Sequence, residues 1–191
     1  MHSMISIIIL FINIFLFLLQ NLFPKITWLF ILYPPVLLQE PWRIITHMFI
    51  HADFSHLFFN MLFLIFFAPA LEREVGTMKF LGIYFSSGIL GGIAQSLVSS
   101  SPSLGASGAL YGVFGALAIL NPRMKVVIFP LFIPVPISVA VILFAFIDFL
   151  MMGSGDAIAH GAHLSGLLAG VFLGFYFSRR RKLAFKDFEY F

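Results

Sequence analysis

Six apolar segments, separated by short polar or proline-rich connections, constrain this chain more than any other feature. A helix needs about 20 apolar residues to cross the hydrocarbon core of a bilayer. The 191 residues are 61% hydrophobic and 10% charged, which is more apolar surface than a water-soluble domain of this size can bury. The sequence therefore predicts an all-α, polytopic membrane protein with six transmembrane helices. They cover residues 4–22, 55–71, 80–98, 107–120, 136–149 and 157–178.

The organisation is predicted to be one membrane domain over residues 1–191, with an apolar first loop and a basic tail. The loop, residues 23–54, contains Trp and Tyr side chains that favour the membrane interface. Basic residues follow the second, fourth and sixth helices, the last group forming the tail 179–191. The positive-inside rule then places both termini in the cytoplasm. Residues 1–24 lack a basic start and a small-residue cleavage site, so we expect a retained first span rather than a signal peptide.

Composition argues against several other kinds of site. The chain has no cysteine, which excludes disulfides and thiolate metal sites. The charged residues behind its net charge of +3 lie in loops and in the tail, so they indicate membrane topology and not nucleic-acid binding. The spacing of His47 with His51, and of His160 with His163, suits a metal. No acidic residue accompanies either pair at ligand spacing, and H-E-x-x-H is absent, so we expect no metal.

Four polar residues are predicted to lie at similar depth in three different helices. Polar and ionisable side chains inside a membrane are costly, which makes each a functional candidate. At about 1.5 Å per residue, Ser107, His163, His56 and Asn60 lie roughly 18–24 Å above the cytoplasmic ends of their helices. In a core about 30 Å thick, all four are then a few Å below the outer surface.

Ser107 has the surroundings that acyl transfer needs. It begins a short predicted helix, whose unpaired backbone N–H groups and positive dipole end favour an oxyanion. Gly105 and Gly108 allow backbone and substrate to approach closely. His163 could take the serine proton and return it to the leaving amine. Small-residue spacing in the fourth and sixth helices, such as residues 108–112 and 166–174, predicts that these helices pack together.

Five motifs, taken together in their order along the chain, make it resemble the rhomboid intramembrane serine proteases. The motifs are Trp42-Arg43, HLFFN at 56–60, EREVG at 72–76, GASGALYG at 105–112 and AHGAHLSG at 159–166. The resemblance implies a Ser–His dyad without a catalytic acid, with Ser107 as nucleophile and His163 as general base. It also implies that His56, Asn60 and the Ser107 backbone N–H bind the oxyanion.

The resemblance assigns two supporting residues and a class of substrate. His160 matches the first histidine of the last motif, and Phe59 matches an aromatic position on the substrate-access side of the second helix. A rhomboid-like protease would cleave transmembrane segments of other membrane proteins near the outer face of the bilayer. Its partners would be these substrates and the lipid bilayer, without nucleic acid, metal or cofactor.

Two other functions stay open at this stage. In a non-catalytic binder of membrane proteins, the same polar cluster would only recognise unstable spans. In a small transporter, the cavity would be a pathway, but membrane-embedded carboxylates are scarce and no inverted repeat is evident.

The fifth helix is predicted to act as a gate for substrates that enter from the lipid. The predicted gate is residues 136–155, which comprise this helix and the connection after it. Prolines before the helix and glycines after it permit the helix to move. It carries no candidate catalytic residue, since Asp148 and Asp156 are assigned to the interface. Movement of the helix would then leave the site intact. Phe59 and Phe144 are expected to line the seam between the second and fifth helices.

Overall fold

The computed structural model of the chain describes residues 5–128, 132–154 and 158–188, with side chains placed as far as Arg179. Predictions that involve Met4, Gly155, Asp156 and Ala157 lie outside the described residues. The described helices are α1 (Ile5–Leu22), α2 (Lys25–Phe30), α3 (Arg43–Thr46), α4 (Phe54–Val75), α5 (Thr77–Val98), α6 (Ser107–Leu120), α7 (Ile137–Met151) and α8 (His160–Phe188). Short 3₁₀ turns at Pro34–Val36 and His47–Phe49 complete the first loop.

The helices confirm the all-α, polytopic membrane fold, although their lengths differ. Four of the described helices are long and apolar enough to cross a bilayer: α1, α4, α5 and the His160–Arg179 part of α8. Helices α6 and α7 are apolar but have only 14 and 15 residues. At 1.5 Å per residue they are roughly 21–23 Å long, too short for a core of about 30 Å. Helix α6 is therefore as short as predicted.

Two connections differ from their predicted form. Helices α4 and α5 are both longer than expected. Only Gly76 (φ +84°) separates the end of α4 from the start of α5. The connection from α6 to α7 is an antiparallel hairpin of β1 (Lys125–Ile128) and β2 (Ile133–Pro136), with Val126 opposite Val135. The sequence analysis predicted no strands at this connection. Proline is compatible with β2 because it is an edge strand.

Helix α6 is the centre of the core and touches α8 backbone to backbone. Most of the α6 side chains from Gly108 to Ala118 are buried. A Cβ atom at Gly166 of α8 would lie 2.1 Å from the carbonyl oxygen of Gly108, and one at Gly170 would lie 1.9 Å from that of Gly112. Only glycine fits at such distances, so the predicted packing of these two helices is confirmed. Close backbone approach of this kind is how membrane helices gain van der Waals contact.

Buried polar contacts hold both ends of α1. The Glu72 carboxylate, at the C-terminal end of α4, accepts hydrogen bonds from the backbone N–H groups of Ile5 (2.9 Å) and Ser6 (3.0 Å). The Ser6 hydroxyl donates to it as well, at 2.7 Å. At the other end, the Gln20 amide donates to the His51 carbonyl at 2.5 Å and accepts from the His51 N–H at 3.1 Å. These contacts fix α1 to α4 and to the loop that precedes α4.

The first loop is organised around a buried arginine. Arg43 donates to the carbonyl oxygens of Trp28 (2.6 Å) and Ile31 (2.8 Å) and pairs with Glu40. The Trp28 side chain is 66% exposed, and neighbouring apolar side chains are exposed too. The interfacial location of residues 23–54, the single-domain organisation and the basic tail stay predictions.

The glycine contact between α6 and α8 predicts a position-specific loss of stability. Gly170→Ala places a methyl group against the Gly112 carbonyl, and overpacking of this kind costs about 1–3 kcal/mol. Gly82→Ala in α5 is the matched control, since nothing lies within 4 Å of its added Cβ. SDS titration of the purified protein in detergent micelles, followed by circular dichroism, measures the effect. Gly170→Ala should unfold at lower SDS than Gly82→Ala, and identical midpoints would contradict the packing.

Candidate active site

The turn before α6 packs against the ring of His56. Ser107 is the first residue of α6, and Gly105 two residues earlier has φ +117°, a conformation that side chains disfavour. A Cβ atom at Gly105 would lie 2.7 Å from the His56 ring. The Gly105 N–H donates to the His47 carbonyl at 2.9 Å, which ties the turn to the first loop. Glycine is therefore needed at 105 both for the backbone angle and for the histidine.

Ser107 and His163 meet across the α6–α8 contact. The Nε2 atom of His163, in the first turn of α8, is 2.8 Å from the Ser107 Oγ. The Tyr111 ring, one helical turn after Ser107, stacks on the imidazole with centroids 4.3 Å apart and planes inclined by 13°. The two residues expected to do the chemistry thus lie at hydrogen-bond distance. Tyr111 belongs to a motif noted in the sequence, but nothing in its spacing indicated this stacking.

Asp148 is the residue that the sequence analysis misplaced. It was assigned to the interface, yet its side chain is buried in α7 and its Oδ1 contacts two histidines. The distances are 2.9 Å to His163 Nδ1 and 2.6 Å to His160 Nδ1. The expectation that this helix carries no residue of the site is therefore wrong. The sequence signal was weak, because 12 and 15 residues separate Asp148 from the two histidines.

The contacts of His163 assign a role to each ring nitrogen. An ionised carboxylate only accepts hydrogen bonds, so the nitrogen facing Asp148 carries the proton. When the ring is neutral, the other nitrogen, Nε2, presents its lone pair to the Ser107 hydroxyl. This is the tautomer that a general base for Ser107 requires.

The same three side chains also have the composition of a metal site. Asp148, His160 and His163 each offer one ligand atom, and these atoms lie within 4.8 Å of one another. The sequence analysis had found no acidic partner for this histidine pair, and the structure supplies one. The hydrogen bonds at 2.6 and 2.9 Å account for the cluster without an ion. The metal-free site stays a prediction.

His56 and Asn60 lie one turn apart on α4. Asp53 caps this helix, and its Oδ1 accepts from the His56 N–H at 2.8 Å. The Ala52 N–H points at His56 Nδ1 at 3.4 Å, a long contact that favours a proton on Nε2. Asn60 donates through Nδ2 to the His56 carbonyl at 2.8 Å. His56 therefore reaches the Ser107 turn, whereas one amide hydrogen of Asn60 is used within its own helix.

Small residues and a buried histidine line a cavity beside Ser107. The lining includes His47, Ser103, Gly108 and Ala162. Burial lowers the pKa of His47 to about 4, and its Nδ1 lies 2.9 Å from the Arg43 carbonyl oxygen. His47 is therefore neutral at physiological pH. The walls leave room for about one water molecule.

His51 is a second buried histidine of the first loop and packs against the site. Its ring stands edge-on to that of His56 with centroids 5.1 Å apart. Burial first, and then the neighbouring His56, lower the pKa of His51 to about 3. His51 is therefore uncharged beside His56 near neutral pH.

The two phenylalanines expected at the seam between α4 and α7 have different surroundings. Phe59 is 54% exposed on α4. Phe144 of α7 faces α6, since its ring centroid is 5.9 Å from that of Phe114. Phe114 in turn contacts Phe63 and Phe67 of α4, at 5.1 Å in both cases. Phe144 therefore contacts α6 through Phe114, and its place at the seam between α4 and α7 stays a prediction.

A sequence profile of the rhomboid domain matches residues 38–180. The chain belongs to the rhomboid family. It is 33% identical over 174 residues to rhomboid protease GlpG of Klebsiella pneumoniae, covering 87% of this chain and 60% of that protein. It is 38% identical over 139 residues to rhomboid protease GluP of Bacillus subtilis, covering 70% and 25%. A 78-residue match to the putative rhomboid protease YdcA of Bacillus subtilis is 46% identical, covering 40% and 39%.

These matches establish the rhomboid membrane domain, in agreement with the resemblance noted from the motifs. The chain covers less than two thirds of each of these three relatives. All of Ser107, His163, His56, Asn60 and Asp148 lie inside the matched range 38–180.

The lowered pKa of His47 predicts a loss of stability in mild acid. Between pH 6.5 and about 4 the unfolded chain binds a proton at His47 and the folded protein does not, so stability falls as pH falls through this window. His47→Asn removes the titrating group and places an amide N–H where Nδ1 meets the Arg43 carbonyl. SDS unfolding midpoints measured from pH 7 to pH 4 should fall less in the variant than in the wild type. Parallel curves would contradict a neutral, buried His47.

Proposed function

We propose that this rhomboid is an intramembrane serine endopeptidase in which Ser107 is the nucleophile and His163 the general base. The single observation that carries the proposal is the 2.8 Å contact between Ser107 Oγ and His163 Nε2. It occurs in a chain of the rhomboid family, and the relatives named above are called rhomboid proteases. A serine hydroxyl at this distance from a correctly oriented imidazole is the arrangement that nucleophilic catalysis needs.

The reaction follows from these two side chains. Ser107 Oγ attacks the carbonyl carbon of the scissile peptide bond while its proton passes to His163 Nε2. The tetrahedral intermediate collapses, the C–N bond breaks and the leaving amine takes the proton from His163. Water then attacks the acyl-enzyme while its proton passes to His163. The bond between the acyl carbon and Ser107 Oγ breaks, Oγ takes the proton back from His163, and the second product leaves with a new carboxyl group. The reaction needs no cofactor.

The negative oxygen of the intermediate would be held at the start of α6. The first backbone N–H groups of a helix lack intrahelical partners, and the helix dipole favours negative charge there. His56 reaches the same turn, with its Nε2 available as a donor. Asn60, one turn further along α4, adds an amide N–H. Donors aimed at a developing oxyanion are typically worth about 3 kcal/mol each.

The positions of these residues along their helices support cleavage near the outer face. His56 is the third residue of α4, Ser107 the first of α6, and His163 lies in the first turn of α8. The opposite ends of α4 and α8 carry Arg73 and Arg179. With the positive-inside rule, those ends and both termini face the cytoplasm. The site is then just below the outer surface.

The surroundings of Ser107 also indicate the kind of substrate. The site is reached from helix ends inside an apolar fold, which suits a transmembrane segment of another membrane protein rather than a soluble peptide. The small residues beside Ser107, such as Gly108 and Ala162, favour a small side chain at the cleaved bond. Such a substrate enters from the lipid, and α7 at the edge of the bundle is the helix proposed to move.

Ser107→Ala should abolish cleavage while the fold is retained. Purified protein in proteoliposomes is incubated with a fluorescent single-span substrate that carries small residues near the outer face. Loss of the nucleophile should lower kcat by at least about 10³-fold, because the steps above then have no acyl acceptor. Ser86→Ala is the matched control, since its hydroxyl donates only within its own helix, to the α5 carbonyl oxygens of Gly82 (2.5 Å) and Ile83 (3.3 Å). Equal cleavage by Ser107→Ala and Ser86→Ala would eliminate the serine-protease proposal. Substrate binding without cleavage by the wild type would favour a binder.

A further inference from the structure

We infer that Asp148 is a positioning residue for His163 and that His160 holds the Asp148 carboxylate in place. This inference rests on the proposed protease function, because positioning matters only if His163 acts as a base. It goes beyond the Ser–His dyad that the resemblance implies. The site then consists of Ser107, His163 and a carboxylate supplied by α7.

The contact geometry supports a functional arrangement. One oxygen atom, Asp148 Oδ1, lies within hydrogen-bond distance of the Nδ1 atoms of His163 (2.9 Å) and His160 (2.6 Å). The other ring nitrogen of His163, Nε2, lies 2.8 Å from Ser107 Oγ. The imidazole therefore connects the serine and the carboxylate through its two different nitrogens. This arrangement fixes the tautomer and the ring orientation at once, and the carboxylate stabilises the imidazolium formed when Ser107 loses its proton.

Burying the Asp148 carboxylate costs free energy unless hydrogen bonds from the two histidines compensate. Its side chain is only 3% exposed and lies in a helix of a membrane protein. A carboxylate in such surroundings is unfavourable unless charge-assisted hydrogen bonds compensate for its desolvation. His160, which is 7% exposed, supplies a second such bond. With two donors from adjacent turns of α8, the oxygen has little freedom to rotate away from His163.

The position of Asp148 on α7 couples this helix to the site. Asp148 lies one turn before α7 ends at Met151, and His160 begins α8. Moving the end of α7 away from α8 would separate the carboxylate from both imidazoles. Substrate access through α7 and correct orientation of His163 are then mutually dependent, whereas the sequence analysis expected them to be independent.

Asp148→Asn tests the carboxylate with the least change in shape. The amide keeps an acceptor oxygen but loses the charge, so kcat on the single-span substrate should fall by about 10²-fold or more. KM should stay within about twofold, because substrate contacts are unchanged. Glu74→Gln neutralises a carboxylate at the far end of α4 and is the matched control with unchanged kcat. An Asp148→Asn protein that resists SDS like the wild type and has wild-type kcat would overturn the inference.

Variants at His160 separate positioning from packing. His160→Asn keeps an N–H donor near the place of Nδ1, whereas His160→Phe keeps a ring and removes the donor. If His160 holds the carboxylate, kcat should fall further in His160→Phe than in His160→Asn at equal resistance to SDS. An equal fall in both variants would overturn this part of the inference.

Nitrogen-15 NMR of histidine-labelled wild-type protein gives a test that needs no folded variant of Asp148. The resonances of His163 should show a protonated Nδ1 and an unprotonated Nε2 near neutral pH. A protonated Nε2 would overturn the inference. The NMR experiment tests which nitrogen of His163 carries the proton, and its result does not depend on cleavage. It therefore stands even if Ser107→Ala cleaves like the wild type and the proposed function fails.

Chelation distinguishes positioning from metal binding by the same atoms. Dialysis of the wild type against EDTA should leave kcat and the His163 resonances unchanged. Loss of activity with EDTA and its return with Zn²⁺ would show that Asp148, His160 and His163 are metal ligands, and would overturn the positioning role.

Discussion

The backbone contact between α6 and α8 is the constraint on which the rest of this rhomboid depends. Glycines at 166 and 170 leave no space for a Cβ atom between the two helices, so the separation of their axes is set by backbone atoms. Ser107 begins one of these helices and His163 lies in the first turn of the other. The 2.8 Å distance between their side chains is therefore a consequence of helix packing. A contact made by rigid helices is also harder to disturb than one between loops.

A second set of contacts links the remaining helices to this pair. His56 arrives from α4 because Gly105 leaves room for its ring, and Asp148 arrives from α7 to meet His163. Helices α4, α6 and α7 thus each contribute a side chain to the site around His163 of α8. Polar groups in a membrane are stable only when they contact one another in this way. The same contacts mean that α7 cannot be displaced without changing the surroundings of His163.

Much of this site could be predicted from the sequence, and the part that could not has a physical reason. Six apolar segments and the glycine spacing predicted the helices and the packing of α6 on α8. Ser107 and His163 could be paired because Ser107 begins a predicted helix and both residues belong to distinctive motifs. Asp148 was missed because the direction of a side chain on α7 depends on how α7 turns against α8, and periodicity in a short, predominantly apolar helix does not reveal this. The hairpin of β1 and β2 between α6 and α7 was not predicted either.

The central claim, that His163 activates Ser107 as a nucleophile, is tested most directly by trapping the serine. Purified protein is treated with a fluorophosphonate, which reacts with activated serines, and the modified residue is located by mass spectrometry of its peptides. The account predicts one adduct, on Ser107, formed in the wild type and lost in His163→Ala, although Ser107 is still present in that variant. An adduct on Ser107 that forms at the same rate without His163, or an active protein whose adduct lies on another serine, would contradict it.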